Sequence, residues 1–460
     1  MQYRKSSYLN IYTAGNKNII FHSYYGNIMK INHAVKDILD FFEEPHSLED
    51  CLQTYAREDA DNVKTLLQAC IDKQYLVESI HPTEELRKIQ EDIRLNYYPE
   101  RLLRFYLTSN CNMACKYCFE GNHTAGAEMT VKTIEDSTDA FIDFLCKDAS
   151  LGTTELIKIN YFGGEPLIRF DLIKESLGYI KSRFDEFKNP YKVTINTNGT
   201  LFTDEIIDFI IQNHIHVYLS IDGLENQNDR NRVFKNGKGT FSTVIGNLKK
   251  IVGRVDEEYL ERYLTILVTI SNDNLKNVSE LVEYLEDMKI KNISLNAAFN
   301  CALSSDQTNW TLLSDEEVDT FIEEVIRLRD RMYSRNVHIG GMWGYIPNRL
   351  KEGGYDFCQA VGHEIGISAT GELYACPCTF GMENEKIGNI SGKHFQFNQN
   401  YDRWRMRKVI HTKQCDLCKI SGICRGGCPG VSILKKKDIY EPQQCVFWEK
   451  FVKAYVTKAF

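Results

Sequence analysis

From Arg104 onward, short apolar runs alternate with longer stretches in which apolar residues recur at helical spacing. Segments such as VKTIEDSTDAFIDFLCK and NDNLKNVSELVEYLEDM place apolar residues three or four positions apart, the period of an amphipathic helix. Strands that are each followed by a helix predict parallel βαβ units with right-handed crossovers. The six predicted strands are RFYLTSN, KINYFGG, VTINTNG, HVYLSID, LTILVTI and NISLNAAF. We therefore predict an α/β fold over residues 101–335, either a partial six-stranded β/α barrel of TIM type or an open parallel sheet.

The first eighty residues show a different pattern. SYLNIYTAGNKNIIFHSYYGNIMKIN alternates apolar and polar positions around turn signals at Gly15 and Gly26, which predicts two or three antiparallel strands. Three short helices and a final strand follow, and Ser47 and Asp50 have the spacing of a helix-capping start. We predict a winged-helix-like α+β domain over residues 1–80 and a charged linker helix with a solvated face over residues 81–100.

Composition and charge narrow the class of protein. The chain has 460 residues, a formal net charge of −8 and a pI near 5.9, which argues against a nucleic-acid partner. No stretch approaches the roughly 20 apolar residues of a membrane span, and the N-terminus lacks the apolar region of a signal peptide. We expect a cytoplasmic protein with no membrane partner. Its 15 cysteines then indicate metal or iron–sulfur ligation, because the cytosol keeps thiols reduced.

One group of three cysteines directly follows the first strand of the predicted α/β region. Cys111, Cys115 and Cys118 lie in TSNCNMACKYCFEGN with the spacing CxxxCxxC. Functional groups of parallel α/β folds gather at the carboxyl ends of the strands, which is where this loop is expected. Three thiolates on one iron–sulfur cluster leave one iron open to another ligand.

This spacing, with an aromatic residue before the last cysteine, resembles the signature of the radical S-adenosylmethionine (SAM) enzymes. The resemblance implies that the open iron binds the amino and carboxylate groups of SAM. FGGEP at the second strand end is similar to the family's GGEP motif, where glycine would let the backbone approach the ligand closely. By analogy, further strand ends hold the SAM ribose and carboxylate. The implied SAM contacts are Tyr117, Gly163, Gly164, Glu165, Pro166, Asn198, Ser220 and Arg232.

A second group of cysteines occupies the C-terminal third. A CxxC pair by itself is as typical of zinc as of iron. In full, the spacing from Cys358 through GELYACPC and CDLCKISGICRGGC to Cys445 resembles the SPASM domain, an extension of radical SAM enzymes that carries auxiliary clusters. The resemblance implies a SPASM domain over residues 336–460 with two auxiliary [4Fe–4S] clusters, and hence three clusters in all.

The resemblance also implies how these cysteines divide between the two clusters. One cluster would use Cys415, Cys418, Cys424 and Cys445, and the other would use Cys358, Cys376 and Cys428. The fourth ligand of the second cluster is either Cys378 or absent, which would leave an iron open to a substrate thiolate. Four further cysteines, Cys51, Cys70, Cys146 and Cys301, have no ligand spacing, and Cys146 lies on an apolar helical stripe that predicts a core position.

The N-terminal pattern resembles the PqqD-like recognition element that precedes many peptide maturases. There, the leader of a precursor peptide adds as a strand to an exposed sheet edge. A simple packing appendage is the alternative. A winged-helix DNA-binding domain is a further possibility, but residues 1–80 carry no concentrated Lys/Arg stripe.

Together these resemblances imply an oxygen-sensitive oxidoreductase. One-electron reduction of SAM by an external donor such as flavodoxin or ferredoxin would give a 5′-deoxyadenosyl radical, and the auxiliary clusters would accept an electron from the substrate radical. The leading hypothesis is a peptide maturase that joins Cys sulfur to carbon in thioether crosslinks. The alternatives are a carbon–carbon crosslinking or epimerising maturase, an anaerobic sulfatase-type maturase, and a cluster-containing DNA-binding regulator. Sulfatase-type relatives usually have Asp after the cysteine of the G-x4-C step, where this chain has Pro377. The acid–base residues and the peptide are left unassigned.

Overall fold

The computed structural model describes residues 1–55, 60–94, 100–118, 128–148, 151–152, 154–297, 314–333, 335–341, 349–350 and 357–459. Cys301 and the last residues of the predicted strand NISLNAAF lie outside the described residues. No helix in the described part of the chain is long and apolar enough to cross a membrane.

The N-terminal unit contains two three-stranded sheets and four helices. The first sheet has the order β2-β3-β4 and contains the antiparallel strands predicted from the sequence. The second has the order β5-β1-β6, and its strands β1 and β5 were not predicted. The strands are β1 (Gln2–Lys5), β2 (Leu9–Ala14), β3 (Lys17–His22), β4 (Gly26–Ile31), β5 (His46–Ser47) and β6 (Leu76–Glu78). The helices are α1 (His33–Phe41), α2 (Leu48–Tyr55), α3 (Ala60–Asp72) and α4 (Pro82–Arg94).

Local sequence accounts for the start of α2, whereas α4 is packed against the rest of the protein more closely than its sequence indicates. Ser47 Oγ accepts from Asp50 N at 3.1 Å, which confirms the predicted capping start. Helix α4 is present where the linker helix was predicted, but it is not simply solvated. Leu86 and Ile89 are buried on it, and Glu85 is 3% exposed and pairs with Arg4 at 2.6 Å. The charge run therefore hides an apolar face that the sequence interpretation missed.

The main sheet has eleven strands in the order β13-β12-β11-β10-β9-β8-β7-β14-β15-β16-β17. All neighbours from β13 to β14 are parallel, and β15 to β17 are antiparallel. The parallel strands are β7 (Arg101–Tyr106), β8 (Ile157–Phe162), β9 (Tyr191–Thr197), β10 (His216–Ser220), β11 (Leu264–Ile270), β12 (Asn292–Ala297), β13 (His338–Gly341) and β14 (Glu364–Ile367). The antiparallel strands are β15 (Glu372–Tyr374), β16 (Lys386–Ser391) and β17 (His394–Phe397). The α/β class is thus confirmed, and β13 and β14 extend the six predicted strands.

Helices cover one face of the parallel strands. These helices are α5 (Val131–Cys146), α6 (Phe170–Phe187), α7 (Asp204–Gln212), α8 (Glu225–Asn231), α9 (Phe241–Val252), α10 (Glu257–Tyr263), α11 (Val278–Asp287) and α12 (Asp315–Tyr333). Along β11 every second residue, from Leu264 to Ile270, is buried beneath them, while the intervening residues face the opposite side and stay partly exposed. Cys146 is exposed at the end of α5, so the predicted core position is wrong: the apolar stripe ends one residue earlier, at the buried Leu145.

The C-terminal segment packs against the N-terminal unit. Its helices are α13 (Gln399–Arg405), α14 (Ser421–Cys424), α15 (Pro429–Lys436) and α16 (Cys445–Ala459). Hydrogen bonds between the two parts include Tyr8 Oη to Asp416 O at 2.5 Å, Asn10 Nδ2 to Lys419 O at 3.0 Å, Tyr24 Oη to Ser421 Oγ at 2.9 Å and Thr83 Oγ1 to Asp416 Oδ2 at 2.9 Å. At Gly422 a Cβ would lie 2.4 Å from Ser23 O, so the two backbones are in direct contact. The N-terminal unit is therefore fastened to the loop that carries Cys415, Cys418 and Cys424.

Candidate functional site

The CxxxCxxC loop follows β7 at the carboxyl edge of the parallel strands. Ala114 N donates to Val233 O at 2.8 Å and Lys116 N donates to Asn231 O at 3.0 Å, so the loop is bonded to the end of α8 and the residues that follow it. Cys118 N donates to Cys115 O at 3.1 Å and closes a tight turn. These bonds hold the loop through its backbone.

The two glycines of GGEP pack against the backbone of the cysteine loop. A Cβ at Gly164 would lie 2.5 Å from Asn110 O, and one at Gly163, where φ is +127°, would lie 2.4 Å from Thr108 O. Gly164 N donates to Thr108 O and Glu165 N donates to Asn110 O, both at 2.9 Å. The sequence interpretation attributed these glycines to close approach of a ligand. The structure supplies a different reason, since the neighbouring loop already fills the space that a side chain would need.

Glu165 lies at the junction of three strand ends. It is fully buried, and its carboxylate accepts from Leu167 N at 3.0 Å, Thr197 Oγ1 at 2.8 Å and Asn198 N at 2.7 Å. Burial raises its pKa to about 7, against these donors, which favour the charged form. Pro166 follows as the first residue of a 3-10 turn that Glu165 caps. In this structure the carboxylate implied as a SAM contact also joins β8 to β9.

Asn198 connects the end of β9 to the cysteine loop. Its Nδ2 lies 3.7 Å from Cys111 Sγ and donates to Asn112 Oδ1 at 2.9 Å, while Oδ1 accepts from Thr200 N at 2.9 Å. Asn198 and Glu165 thus brace the backbone around Cys111. Burial raises the pKa of the Cys111 thiol, and the hydrogen bonds from Met113 N and Asn198 partly offset this.

A buried polar network connects Tyr117 to the end of β10. Tyr117 Oη donates to Asp222 Oδ2 and accepts from Arg232 Nη1 at 2.6 Å, and Asp222 Oδ1 accepts from Thr269 N at 2.9 Å. Asp222 is 2% exposed, and burial raises its pKa against the Arg232 cation and the Tyr117 hydroxyl. The sequence named Tyr117 and Arg232 but missed Asp222. An acidic residue in SIDG just after a strand end was the available signal. Ser220, two residues earlier, ends β10 and is half-buried.

The open face of the parallel strands carries a second polar network. Arg104 Nε donates to Glu364 Oε1 at 2.6 Å, and its Nη1 donates to Asn160 Oδ1 at 2.7 Å. Asn160 Nδ2 donates in turn to Thr194 Oγ1 at 2.8 Å and to Asn196 Oδ1 at 2.9 Å. The network spans β14, β7, β8 and β9, and none of its members was singled out from the sequence. The sheet face opposite the helices is therefore lined by polar side chains at these strands.

Four C-terminal thiols lie close enough together to affect one another's pKa values: Cys415, Cys418, Cys424 and Cys445. Burial raises the pKa of Cys424, and the other three thiols raise it further. Burial likewise raises the pKa of Cys415 to about 12, with contributions from Cys418 and Cys445. The structure therefore brings together the four residues that the resemblance assigns to one cluster.

The second set gathers around the start of α15. At Gly430, two residues after Cys428, a Cβ would lie 3.1 Å from Cys376 Sγ and 3.8 Å from Cys378 Sγ. The glycine therefore keeps space free beside both thiols. Burial raises the pKa of Cys358 to about 12, and the Cys376 thiol raises it further. Cys376 and Cys378 thus both lie next to Gly430, near the start of α15.

The donor chemistry of these sites fits iron–sulfur clusters. All three groups offer thiols, the soft ligands that hold such clusters. Among the residues that the structure describes, no three Cys, His, Asp or Glu side chains have the spacing of a single-ion site. A [4Fe–4S] cluster binds each cysteine at a different iron, so its ligands lie farther apart than those of one ion.

Comparisons with known proteins agree with this geometry. The family model of the radical SAM superfamily matches residues 105–285. The chain is 22% identical to the radical SAM cyclopropyl synthase TigE of Paramaledivibacter caminithermalis over 89% of this chain and 86% of that protein. It is 30% identical to an uncharacterised protein of Methanocaldococcus jannaschii over 63% of this chain and 88% of that protein.

Two solved structures share the fold. The structure of anSMEcpe with bound AdoMet matches with a TM-score of 0.65 at 18% identity, over 79% of this chain and 93% of that one. Streptococcus suis SuiB bound to precursor peptide SuiA matches with a TM-score of 0.54 at 17% identity, over 97% of this chain and 99% of that one. The matched family region contains the cysteine loop, GGEP and the Tyr117 network, and we conclude that the chain belongs to the radical SAM superfamily.

Proposed function

We propose that this radical SAM enzyme modifies a ribosomally made precursor peptide. The observation that carries the proposal is that the N-terminal unit is hydrogen-bonded to the C-terminal segment that contains the cysteines. TigE and peptide-bound SuiB match this chain over 89% and 97% of its length, whereas the anSMEcpe structure covers 79%. The longer match to SuiB, which is bound to a precursor peptide, therefore favours a peptide substrate.

The leader of that peptide is proposed to bind at a cavity of the N-terminal unit. The cavity has a volume of about 770 Å³ and is lined by Asn27 of β4, by β6, by the end of α3 and by α4. β4 and β6 are outer strands of their sheets. An outer strand offers unpaired backbone groups to which an extended peptide can add, as in β-augmentation. This groove supports the PqqD-like interpretation of residues 1–80.

The remaining layout is proposed as follows. Residues 81–100 link the N-terminal domain to a radical SAM partial barrel at 101–335 and a SPASM domain at 336–460. Cys111, Cys115 and Cys118 would hold the cluster that binds SAM, and one-electron reduction by an external donor such as flavodoxin or ferredoxin would cleave SAM to methionine and a 5′-deoxyadenosyl radical. Glu165, Asn198 and the Tyr117 network position the loop for this ligand, and the polar open face orients the peptide. The two C-terminal cysteine sets hold the auxiliary clusters that accept an electron.

Two types of bond compete within this proposal. Thioether formation is the leading candidate because a precursor cysteine can supply sulfur to the substrate carbon radical. An open iron in an auxiliary cluster would favour thioether formation, because that iron could bind the precursor thiolate. The position of Cys378 near Cys376 supports a complete set of four cysteine ligands instead. Carbon–carbon crosslinking needs no open iron, and TigE is named a cyclopropyl synthase. It is therefore the second candidate.

Incubating the reconstituted enzyme with SAM, a reductant and a Cys-containing precursor is expected to give a product two hydrogens lighter. The crosslink forms with loss of one hydrogen from each joined atom. Mass spectrometry after alkylation of free thiols then separates the candidates, because a thioether removes one alkylation site for each crosslink and a carbon–carbon bond removes none. A precursor that keeps its mass while SAM is cleaved would contradict crosslinking of either type. A precursor without its leader serves as the matched control.

Cys378→Ala is expected to change the electron paramagnetic resonance spectrum of one auxiliary cluster and to lower its iron content. The reason is that Cys378 lies beside Cys376, where a fourth ligand of the second set belongs. Cys146→Ala is the matched control, since this thiol is exposed at the end of α5. An unchanged spectrum with full iron content would instead indicate an open iron and strengthen thioether formation.

A sulfatase-type maturase is the third candidate. A cysteine-type anaerobic sulfatase-maturating enzyme of Clostridium novyi is 24% identical over 70% of this chain and 85% of that protein. The position after Cys376 is Pro377, which cannot act as a base. Formation of formylglycine in a short sulfatase peptide without any leader would favour this candidate over the proposal.

A further inference from the structure

Arg407 lies in the interior of the C-terminal segment and contacts the loop between two cysteines. It is 1% exposed, and its guanidinium donates to Arg425 O at 2.9 Å, Gly426 O at 2.7 Å and Ile439 O at 3.1 Å. Arg425 and Gly426 lie between Cys424, assigned to one cluster, and Cys428, assigned to the other. The guanidinium is thus bonded directly to the backbone that joins the two sets.

The loop is shaped around this side chain. Gly426 has a φ of +76°, and a Cβ there would lie 2.5 Å from Arg407 Nη1. A side chain at position 426 would therefore both strain the backbone and displace the guanidinium. The fit indicates a specific place for Arg407 and not a loosely packed cation.

The charge of Arg407 has no carboxylate partner. Within the described ranges, no Asp or Glu oxygen lies within ion-pair distance of its guanidinium, and its three acceptors are backbone carbonyls. A buried cation without a counter-charge is strongly unfavourable. An arginine stays charged in proteins, so compensation must come from another anionic group nearby.

The ionisable neighbours of Arg407 are cysteines of both sets, which would be thiolates when they ligate a cluster. Burial lowers the pKa of Arg407, and Cys415, Cys424, Cys358 and Cys428 act in the opposite direction because their thiolates favour the cation. Cys415 and Cys424 belong to one proposed cluster, and Cys358 and Cys428 belong to the other. Through its bonds to Arg425 O and Gly426 O, the guanidinium also contacts the backbone between Cys424 of one set and Cys428 of the other.

We propose that Arg407 is a positioning residue that compensates the negative charge of both auxiliary clusters and raises their reduction potentials. The inference rests on the proposed function, in which these cysteines hold two [4Fe–4S] clusters. Four thiolates give an oxidised [4Fe–4S]²⁺ site a net charge of about −2, and uptake of one electron makes it about −3. A fixed cation stabilises the more negative state more strongly. The electron comes from the substrate radical, so Arg407 favours that transfer.

A potentiometric titration followed by electron paramagnetic resonance tests this inference on the full-length reconstituted enzyme. Arg407→Gln is expected to shift the reduction equilibrium of the auxiliary clusters at least tenfold toward the oxidised form, which is about 59 mV for a one-electron couple. The cluster of Cys111, Cys115 and Cys118 is expected to keep its potential. Arg407→Lys, which keeps the charge, is expected to shift the auxiliary clusters less. Arg405→Gln is the matched control, because Arg405 is exposed and loses the same charge two residues away.

Each outcome decides the inference. Unchanged auxiliary potentials in Arg407→Gln at full iron content would overturn it, as would equal shifts in Arg407→Gln and Arg407→Lys. If Arg407→Gln loses iron while Arg407→Lys keeps it, the need for the charge is supported, and if both lose iron the role is packing alone. Zinc in place of iron in the wild-type C-terminal segment would overturn the proposed function together with this inference. Full iron in the wild type with no shift in Arg407→Gln would overturn only the inference.

Discussion

Replacing Cys111, Cys115 and Cys118 together by alanine is expected to abolish SAM cleavage and to lower the iron content from about twelve to about eight per chain, as three and then two four-iron clusters require. The expected result follows from the separation of the cysteine groups. The loop after β7 is tied to the segment after α8, whereas the other two sets belong to the C-terminal segment. Removal of one set should therefore leave the other two assembled.

Anaerobic iron and sulfide quantitation, together with assay of 5′-deoxyadenosine, measures this effect. Cys146→Ala is the control for loss of a thiol as such and should retain both iron and SAM cleavage. An iron content that does not fall in the triple variant would show that the loop does not hold a cluster. A fall to near zero would show that the three sites assemble only together, which contradicts independent assembly of the loop cluster and the two C-terminal clusters.

Gly164→Ala is expected to have an effect almost as large through a single added methyl group. The new Cβ would lie 2.5 Å from Asn110 O and 2.7 Å from Ser109 O, and both are backbone atoms that cannot rotate away. Overpacking of this kind costs about 1–3 kcal/mol, and the backbone that must move leads directly into Cys111. We expect a loss of about four irons and of SAM cleavage, with the auxiliary clusters retained.

Gly178→Ala is the matched control for this substitution. Gly178 lies inside α6, and a Cβ there has no heavy atom within 4 Å. Alanine should raise the free energy of unfolding by up to about 1 kcal/mol, because glycine is a poor helix former. Gly164→Ala should therefore lower both the unfolding temperature and the iron content. Gly178→Ala should keep or raise the unfolding temperature and keep its full iron content. Full iron and activity in Gly164→Ala would refute the tight contact between the two loops.

The parts of the site that the sequence predicts are those defined by local spacing. The strand periodicity and the cysteine spacing could be interpreted directly, because each depends on neighbouring residues. Asp222 could not be identified in this way, since its partners Tyr117, Arg232 and Thr269 come from three other segments. Arg407 was missed for the same reason, because a single buried arginine carries no spacing signal.

The glycines of GGEP illustrate a different limit. The motif was identified correctly, but its physical reason was not. A glycine pair indicates close approach of some group, and only the fold shows that this group is the Thr108–Asn110 backbone. Similarly, the charge pattern of α4 concealed the buried Leu86 and Ile89, because an amphipathic helix with a narrow apolar stripe resembles a solvated one.

The hydrogen bonds of Tyr8, Asn10 and Tyr24 to residues 416–421 affect how deletion experiments should be interpreted. A shortened enzyme that begins near β7 would lose the wall that covers the loop of Cys415 and Cys418, along with the packing of Val409 against Tyr8 and Tyr24. Loss of turnover in such a protein would not by itself show that the leader had been recognised by the missing residues. Oxygen and solvent would also reach the cluster proposed at Cys415 and Cys418, so damage to that cluster would imitate loss of substrate recognition.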